Sequence, residues 1–187
     1  CKTVLVSDQS NFPDGPVVEK GGQAYVGRGG SSYASALASA RNVKTTGFGT
    51  CGGGGTACTT SNFNVANLGI TAASLGDSSA DRTTYINWAR GADTEDEDGD
   101  TDLDEYRPSL HGDVIHSQPI AIDYAGDPND PAVIVFYGSN DGMLRAINGN
   151  RSESHNGATT GTGTPAGGEF WAFLPPEAYS NVDRNFK

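Results

Sequence analysis

The run Ala132-Val133-Ile134-Val135-Phe136-Tyr137-Gly138-Ser139-Asn140-Asp141-Gly142-Met143-Leu144-Arg145-Ala146-Ile147-Asn148 decides how the rest of the chain is read. Val133 to Tyr137 are β-branched or aromatic without a break, so Ala132 to Gly138 reads as a strand. Asn140-Asp141-Gly142 is a turn signal of the hairpin type, because Asn and Gly tolerate positive φ. Met143 to Asn148 is then the return strand. Upstream, His116 to Tyr124 ends in the apolar stretch Ile120 to Ile122, closed by a Gly/Asp/Pro turn. Downstream, the polar Gly149 to Gly167 insertion leads into Glu169 to Leu174, a fourth strand that Pro175-Pro176 ends. Four short strands in succession describe one antiparallel meander. Such a sheet needs its faces covered and its edges protected, and radial repetition in a propeller is one solution.

The fold class that follows is mainly β with a little α. Residues 113–187 read as one blade's worth of a β-propeller, a four-stranded antiparallel meander. Residues 92–112 read as an acidic loop and residues 1–91 as a loop-rich, partly helical lead-in. Within that lead-in, Lys2 to Val6 suggests a short strand, Ser32 to Arg41 a short helix, and Phe63 to Leu68 a weak alternation. The firmest helix spans Ser79 to Arg90. Ser78 is placed as its N-cap, Asp81 lies three residues on in a capping-box arrangement, and Gly91 stops it. Tyr85, Trp88 and Ala89 fall on one face with Ile86 beside them, a stripe for core packing.

The chain carries 23 acidic residues against 12 basic ones, a formal net charge of −11. That balance argues against nucleic acid and against an anionic membrane surface, and it favours cations as partners. No apolar run approaches the length of a membrane span. Nine of the acids lie between Asp93 and Glu105. Asp96, Asp98, Asp100, Asp102 and Asp104 occupy every second position, and Glu105 follows. Ca²⁺ takes six to eight oxygens, and a loop with Asp at its first, third and fifth places wraps around it. With Asp96 first, Leu103 takes the eighth place as an apolar anchor, while Thr101 stands where Gly is expected and Arg107 where a bidentate acid is expected. In a second register Gly99 takes the turn and Glu105 the twelfth place, and Thr94 opens the loop. The run is a Ca²⁺ site or a solvated acidic loop.

The three cysteines are Cys1, Cys51 and Cys58. Cys51 and Cys58 bracket a Gly-rich stretch, read as a local disulfide in an oxidising compartment or as two free thiols. His111, Asp113 and His116 make a weak metal motif, since two histidines five apart share no face of a helix or strand. His116 and Ser117, as strand neighbours, point to opposite faces. Hydrogen bonding is the better reading of both sets. No catalytic group stands out.

Several segments, taken in order, are more specific than any one alone. Asn87-Trp88-Ala89-Arg90-Gly91 precedes His111-Gly112-Asp113-Val114-Ile115-His116-Ser117-Gln118-Pro119. Val135 to Ala146 and Glu169 to Pro175 follow, and Val18 to Gly22 is a fainter echo. Together they resemble the entry into the propeller domain of the PilC/PilY family of type IV pilus tip-associated proteins, across about residues 63 to 187. The resemblance implies an extracellular, bacterial, non-enzymatic protein at the pilus tip that supports pilus assembly and adhesion. Pilin subunits or minor pilins, the remaining part of the propeller and a host-cell or surface receptor would be its partners. With one blade visible, the chain reads as a fragment or one piece of a larger protein. Two other readings stay open. Ala146-Ile147-Asn148 and Gly168-Glu169-Phe170-Trp171 also look like a blade of a quinoprotein dehydrogenase. A Ca²⁺-stabilised structural component of a filament or surface is the third.

Overall fold

A computed structural model describes residues 40–46, 60–96, 99, 101–107, 110–125, 132–150, 164 and 167–186. Six strands form one open, mixed sheet: β1 (Val43–Thr46), β2 (Thr60–Asn62), β3 (Ile120–Asp123), β4 (Val133–Gly138), β5 (Leu144–Asn148) and β6 (Glu169–Phe173). Their order across the sheet is β2-β1-β6-β5-β4-β3. The antiparallel meander β3 to β6 is present as expected. The sheet does not end there, because β1 joins β6 in parallel and β2 joins β1 antiparallel. Strands from the lead-in therefore extend the meander. The segments Lys2 to Val6 and Ser32 to Ser39 lie outside the described residues, as do Cys1, Cys51 and Cys58.

The hairpin between β4 and β5 differs in detail from its expected form. The Gly142 N–H donates to the Ser139 carbonyl at 2.9 Å and the Ser139 N–H to the Met143 carbonyl at 3.0 Å. Of the three turn residues only Gly142 has positive φ, at 86°. That makes a three-residue loop with its left-handed residue last, and Asn140 needs no unusual backbone. The Asp141 carboxylate holds the turn by accepting from the Met143 N–H at 3.0 Å.

Helix α1 spans Arg82–Arg90, a turn shorter than the sequence suggests. Its N-cap is Asp81, whose carboxylate accepts from the Thr83 N–H at 3.0 Å and the Thr84 hydroxyl at 2.8 Å. Two acceptor oxygens on Asp81 satisfy the first turn better than one hydroxyl on Ser78 could. Ser79 instead bonds the Asp77 carboxylate in the turn before. Gly91, at φ 106°, ends the helix as expected. After Pro175 the chain makes a 3-10 turn over Pro176–Ala178 and then α2 (Ser180–Phe186), which the sequence reading did not anticipate. Phe186 packs its ring on Tyr85 at 4.6 Å and Trp88 at 5.5 Å, and the Tyr85 hydroxyl donates to Asp183 at 2.8 Å.

Residues paired across strands share a face of the sheet. Val43, Ala172 and Arg145 lie on the face that meets the helices. There Val43 and Ala172 join Ile86, Ala89, Tyr179 and Val182 in the main core. The opposite face runs Ile120–Phe136–Ala146–Trp171 across the meander, with Ile122–Ile134 below and Leu144–Phe173 above. No described helix covers it. Among the described residues the sheet has one packed face and one open one.

Candidate functional site

The acidic loop was the expected site, and the structure divides its residues. Asp96 has φ 53° and accepts the Thr101 N–H on its carboxylate at 2.9 Å. Asp102 accepts the Asp104 N–H at 3.1 Å, and both side chains are exposed. Asp98 and Asp100 lie outside the described residues. Glu105, placed last in the expected set, is 1% exposed and sits where the Asp93 N–H meets its carbonyl at 2.9 Å. Leu103 is 52% exposed and so is no interior anchor. Thr101 takes φ 75° and Gly99 φ 80°, so the turn positions of both registers are left-handed, and the Gly99 N–H donates to the Asp96 carbonyl at 3.2 Å. Among the described residues no group of three or more His, Cys, Asp or Glu side chains converges to hold a metal.

His111, Asp113 and His116 do not converge either. The His111 Nε2 bonds the Tyr137 hydroxyl at 2.7 Å, the Asp113 carbonyl accepts the Asn140 N–H, and His116 is exposed. Ser117 Oγ accepts the Gly138 N–H at 2.9 Å. His111, the Asp113 carbonyl and Ser117 thus take hydrogen-bonding roles. Burial pushes the His111 imidazole down to about 4, with the Arg145 cation adding to the effect. Burial likewise pushes the Tyr137 hydroxyl up to about 12.

The feature the sequence did not disclose is a buried charge network on the helix-covered face. Arg41 grips Glu169 through Nε at 2.7 Å and Nη2 at 2.8 Å. Arg145 holds the same carboxylate through Nη1 at 2.8 Å and bonds Asp141 through Nη2. Two cations thus alternate with two carboxylates. Burial alone would raise the Glu169 carboxyl, yet the Arg41 and Arg145 guanidiniums overcome it and hold the group at about 2. Burial works against the Asp141 charge too, and Arg145 holds its carboxyl well below the usual range. Burial opposes the charge of Arg145, but its two carboxylate partners keep it firmly protonated.

A β-bulge makes this network possible. Ala172 and Glu169 are three residues apart and would face opposite sides of an unbroken strand. The register shifts between Ala146 and Ile147, where Ala146 pairs with Trp171 and Ile147 with Glu169. Phe170 is the extra residue, and it turns Glu169 onto the face of Arg145. The visible signal was a charge inside each apolar strand, Arg145 in Leu-Arg-Ala-Ile-Asn and Glu169 opening Glu-Phe-Trp-Ala-Phe. All four side chains are spent on one another, so the network holds the fold together and offers no nucleophile.

The surface best suited to a partner is the open face. Ile120 is 59% exposed and Ile122 and Leu144 each 41%, so large apolar side chains meet water together there. Phe136 and Trp171 stand between them with ring centroids 6.0 Å apart. Trp171 is thus a packing residue of this face. Where the face reaches β1 and β2 it turns polar, at Lys44, Thr46, Thr60 and Asn62. No described helix is long and apolar enough to cross a membrane. Comparison with family models, curated proteins and solved structures gave no match to this chain.

Proposed function

We propose that this chain is the opening sheet of a larger β-propeller protein of the PilC/PilY kind, which acts extracellularly at the tip of a bacterial type IV pilus in assembly and adhesion. One observation supports the larger-protein part: the meander carries an open apolar face, bordered on its β6 side by the polar strands β1 and β2. A contiguous exposed apolar area rimmed by polar residues marks an interaction surface. A companion sheet about 10 Å away would bury Ile120, Ile122, Leu144, Phe136 and Trp171 together. The pilus assignment rests on the ordered segments from Asn87 to Pro175. Pilin subunits and the remaining sheets are its proposed partners.

Ca²⁺ bound by the alternating Asp96 to Asp104 carboxylates is part of this reading, since so many carboxylates repel one another without a cation. Calorimetric titration of Ca²⁺ should give heat that disappears when Asp98 and Asp100 are both replaced by Asn. Immunogold labelling with an antibody to this chain tests the location. Gold at pilus ends supports the proposal, whereas gold along whole filaments or none on pili overturns it.

A further inference from the structure

At the polar end of the sheet a cavity of about 360 Å³ opens between β1, the loop after β2 and the end of α1. That volume lies within the range of about 300–1,000 Å³ typical of small-molecule sites. Its polar lining is Arg41, Asn42, Lys44, Asn62, Asn64 and Arg90. No acidic residue is among the described residues that line it, although the chain carries a net charge of −11. A concave surface with one sign of charge focuses its potential on the space inside.

The hydrogen-bonding inventory narrows the ligand. Arg41 is committed to Glu169, and both Arg41 and Arg90 also donate to backbone carbonyls. The Glu169 carboxylate offsets the Arg41 charge, and the two guanidiniums leave few open donors. Lys44 donates to the neutral Asn62 Oδ1 at 2.6 Å, and an ammonium has two further N–H groups. The Asn62 amide nitrogen has no partner among the described residues, and neither end of the Asn64 amide has one. Asn42 spends its amide N–H on the Phe170 carbonyl at 3.1 Å, which leaves its carbonyl oxygen. The open groups are therefore one ammonium and three amides, a set able to meet one anionic group and several hydroxyls. No aromatic side chain among the described residues lines the cavity, so a neutral sugar would find no stacking platform there.

We infer that this cavity binds a small hydroxylated carboxylate of the kind a uronic acid unit presents, with Lys44 on the carboxylate and Asn62 and Asn64 on the hydroxyls. The inference stands apart from the pilus reading, because a free monosaccharide can enter whether or not the open face is covered. Calorimetry on the full chain with D-glucuronate, D-glucose and inorganic phosphate tests it. D-glucuronate should bind with a dissociation constant of about 1 mM, and both other probes more weakly. Lys44→Gln should weaken D-glucuronate by about tenfold or more through loss of a charge-assisted bond. Asn64→Asp, at a side chain with no partner to lose among the described residues, should abolish binding by placing a negative charge in the cavity. Circular dichroism matching the parent confirms that each variant is folded. Absence of heat with D-glucuronate, equal affinity for D-glucose or phosphate, or undiminished binding by Asn64→Asp overturns the assignment.

Discussion

Replacing Glu169 by Gln removes the one carboxylate shared by Arg41 and Arg145 while keeping the side chain's shape. Three contacts of 2.7 to 2.8 Å lose their charge at once. Arg145 keeps Asp141, but Arg41 is left with neutral acceptors only, the single Gln carbonyl oxygen, the Arg90 carbonyl and the Met143 sulfur. A guanidinium only 8% exposed would then be buried without an anion, which costs about 3–5 kcal/mol. For a chain of this size the midpoint of thermal unfolding should fall by about 6–20 °C. The carboxyl's own titration gives a similar figure. Held at about 2 instead of its usual 4.5, it contributes about 3 kcal/mol. That stability is complete above pH 4.5 and drains away as pH falls toward 2, because the unfolded chain takes up the proton first. Adding Arg41→Met to Glu169→Gln removes the orphaned charge, so the double variant should be more stable than Glu169→Gln alone. Urea unfolding of the parent, both single variants and the double variant completes the cycle. A loss under about 1 kcal/mol in Glu169→Gln, or no recovery in the double variant, would refute the claim that this network holds the sheet.

His111 gives a second pH signature. Its imidazole stays neutral down to about 4 among Arg145, Asp141, Arg41 and Tyr137, whereas in the unfolded chain it protonates near 6.5. The stability it confers is full above pH 6.5 and falls by about 3 kcal/mol toward pH 4, so His111→Gln should flatten urea midpoints between pH 7 and pH 5. Gly142→Ala forces a side chain onto φ 86° and brings its Cβ within 2.9 Å of the Ala178 Cβ. A loss of about 1–3 kcal/mol is expected by thermal unfolding, and an unchanged midpoint would contradict the turn geometry. Ile122→Glu lies on the open face at 41% exposure, so stability should shift by no more than about 0.5 kcal/mol. The same change should reduce binding of an apolar dye, and unaltered dye binding would count against a continuous apolar surface.

The parts legible in the sequence were those with local signals. Unbroken β-branched and aromatic residues marked β4, and Gly91 marked the end of α1. What stayed hidden depended on partners far along the chain. Val43–Thr46 is four residues long, and its buried Val43 and Thr45 alternate with half-buried Lys44 and Thr46. So brief a period is indistinguishable from loop until β6 lies beside it. Thr45 is buried because its hydroxyl meets the Tyr179 hydroxyl at 2.6 Å, a contact spanning 134 positions. The short α2 has little helix-forming strength of its own and forms where Phe186 and Val182 can pack against α1. For the acidic run, composition located a loop, but only the fold could separate the exposed Asp102 and Asp104 from the buried Glu105.

The place of the charge network explains why a costly arrangement of buried ions is there at all. β1 pairs with β6 through only two Cα partners, Val43 with Ala172 and Lys44 with Phe173. So short a parallel contact has little register preference of its own. Sliding β1 by one residue would move Arg41 about 3.3 Å along the strand. It would also turn Val43 out of the core and Lys44 into it. The doubled Arg41 bond to Glu169 breaks under that shift, leaving opposite charges buried apart from each other. Hydrophobic residues of equal volume could fill the same space, yet they would tolerate the slip better because apolar contact has no fixed direction. The network therefore fixes how the lead-in strand meets the meander, and through β1 it sets where Lys44 and Asn62 stand at the mouth of the cavity. Arg41→Met with Glu169→Met should accordingly keep much of the stability while loosening β1, seen as faster amide hydrogen exchange at Ala172 and Leu174, whose N–H groups bond Asn42 and Lys44.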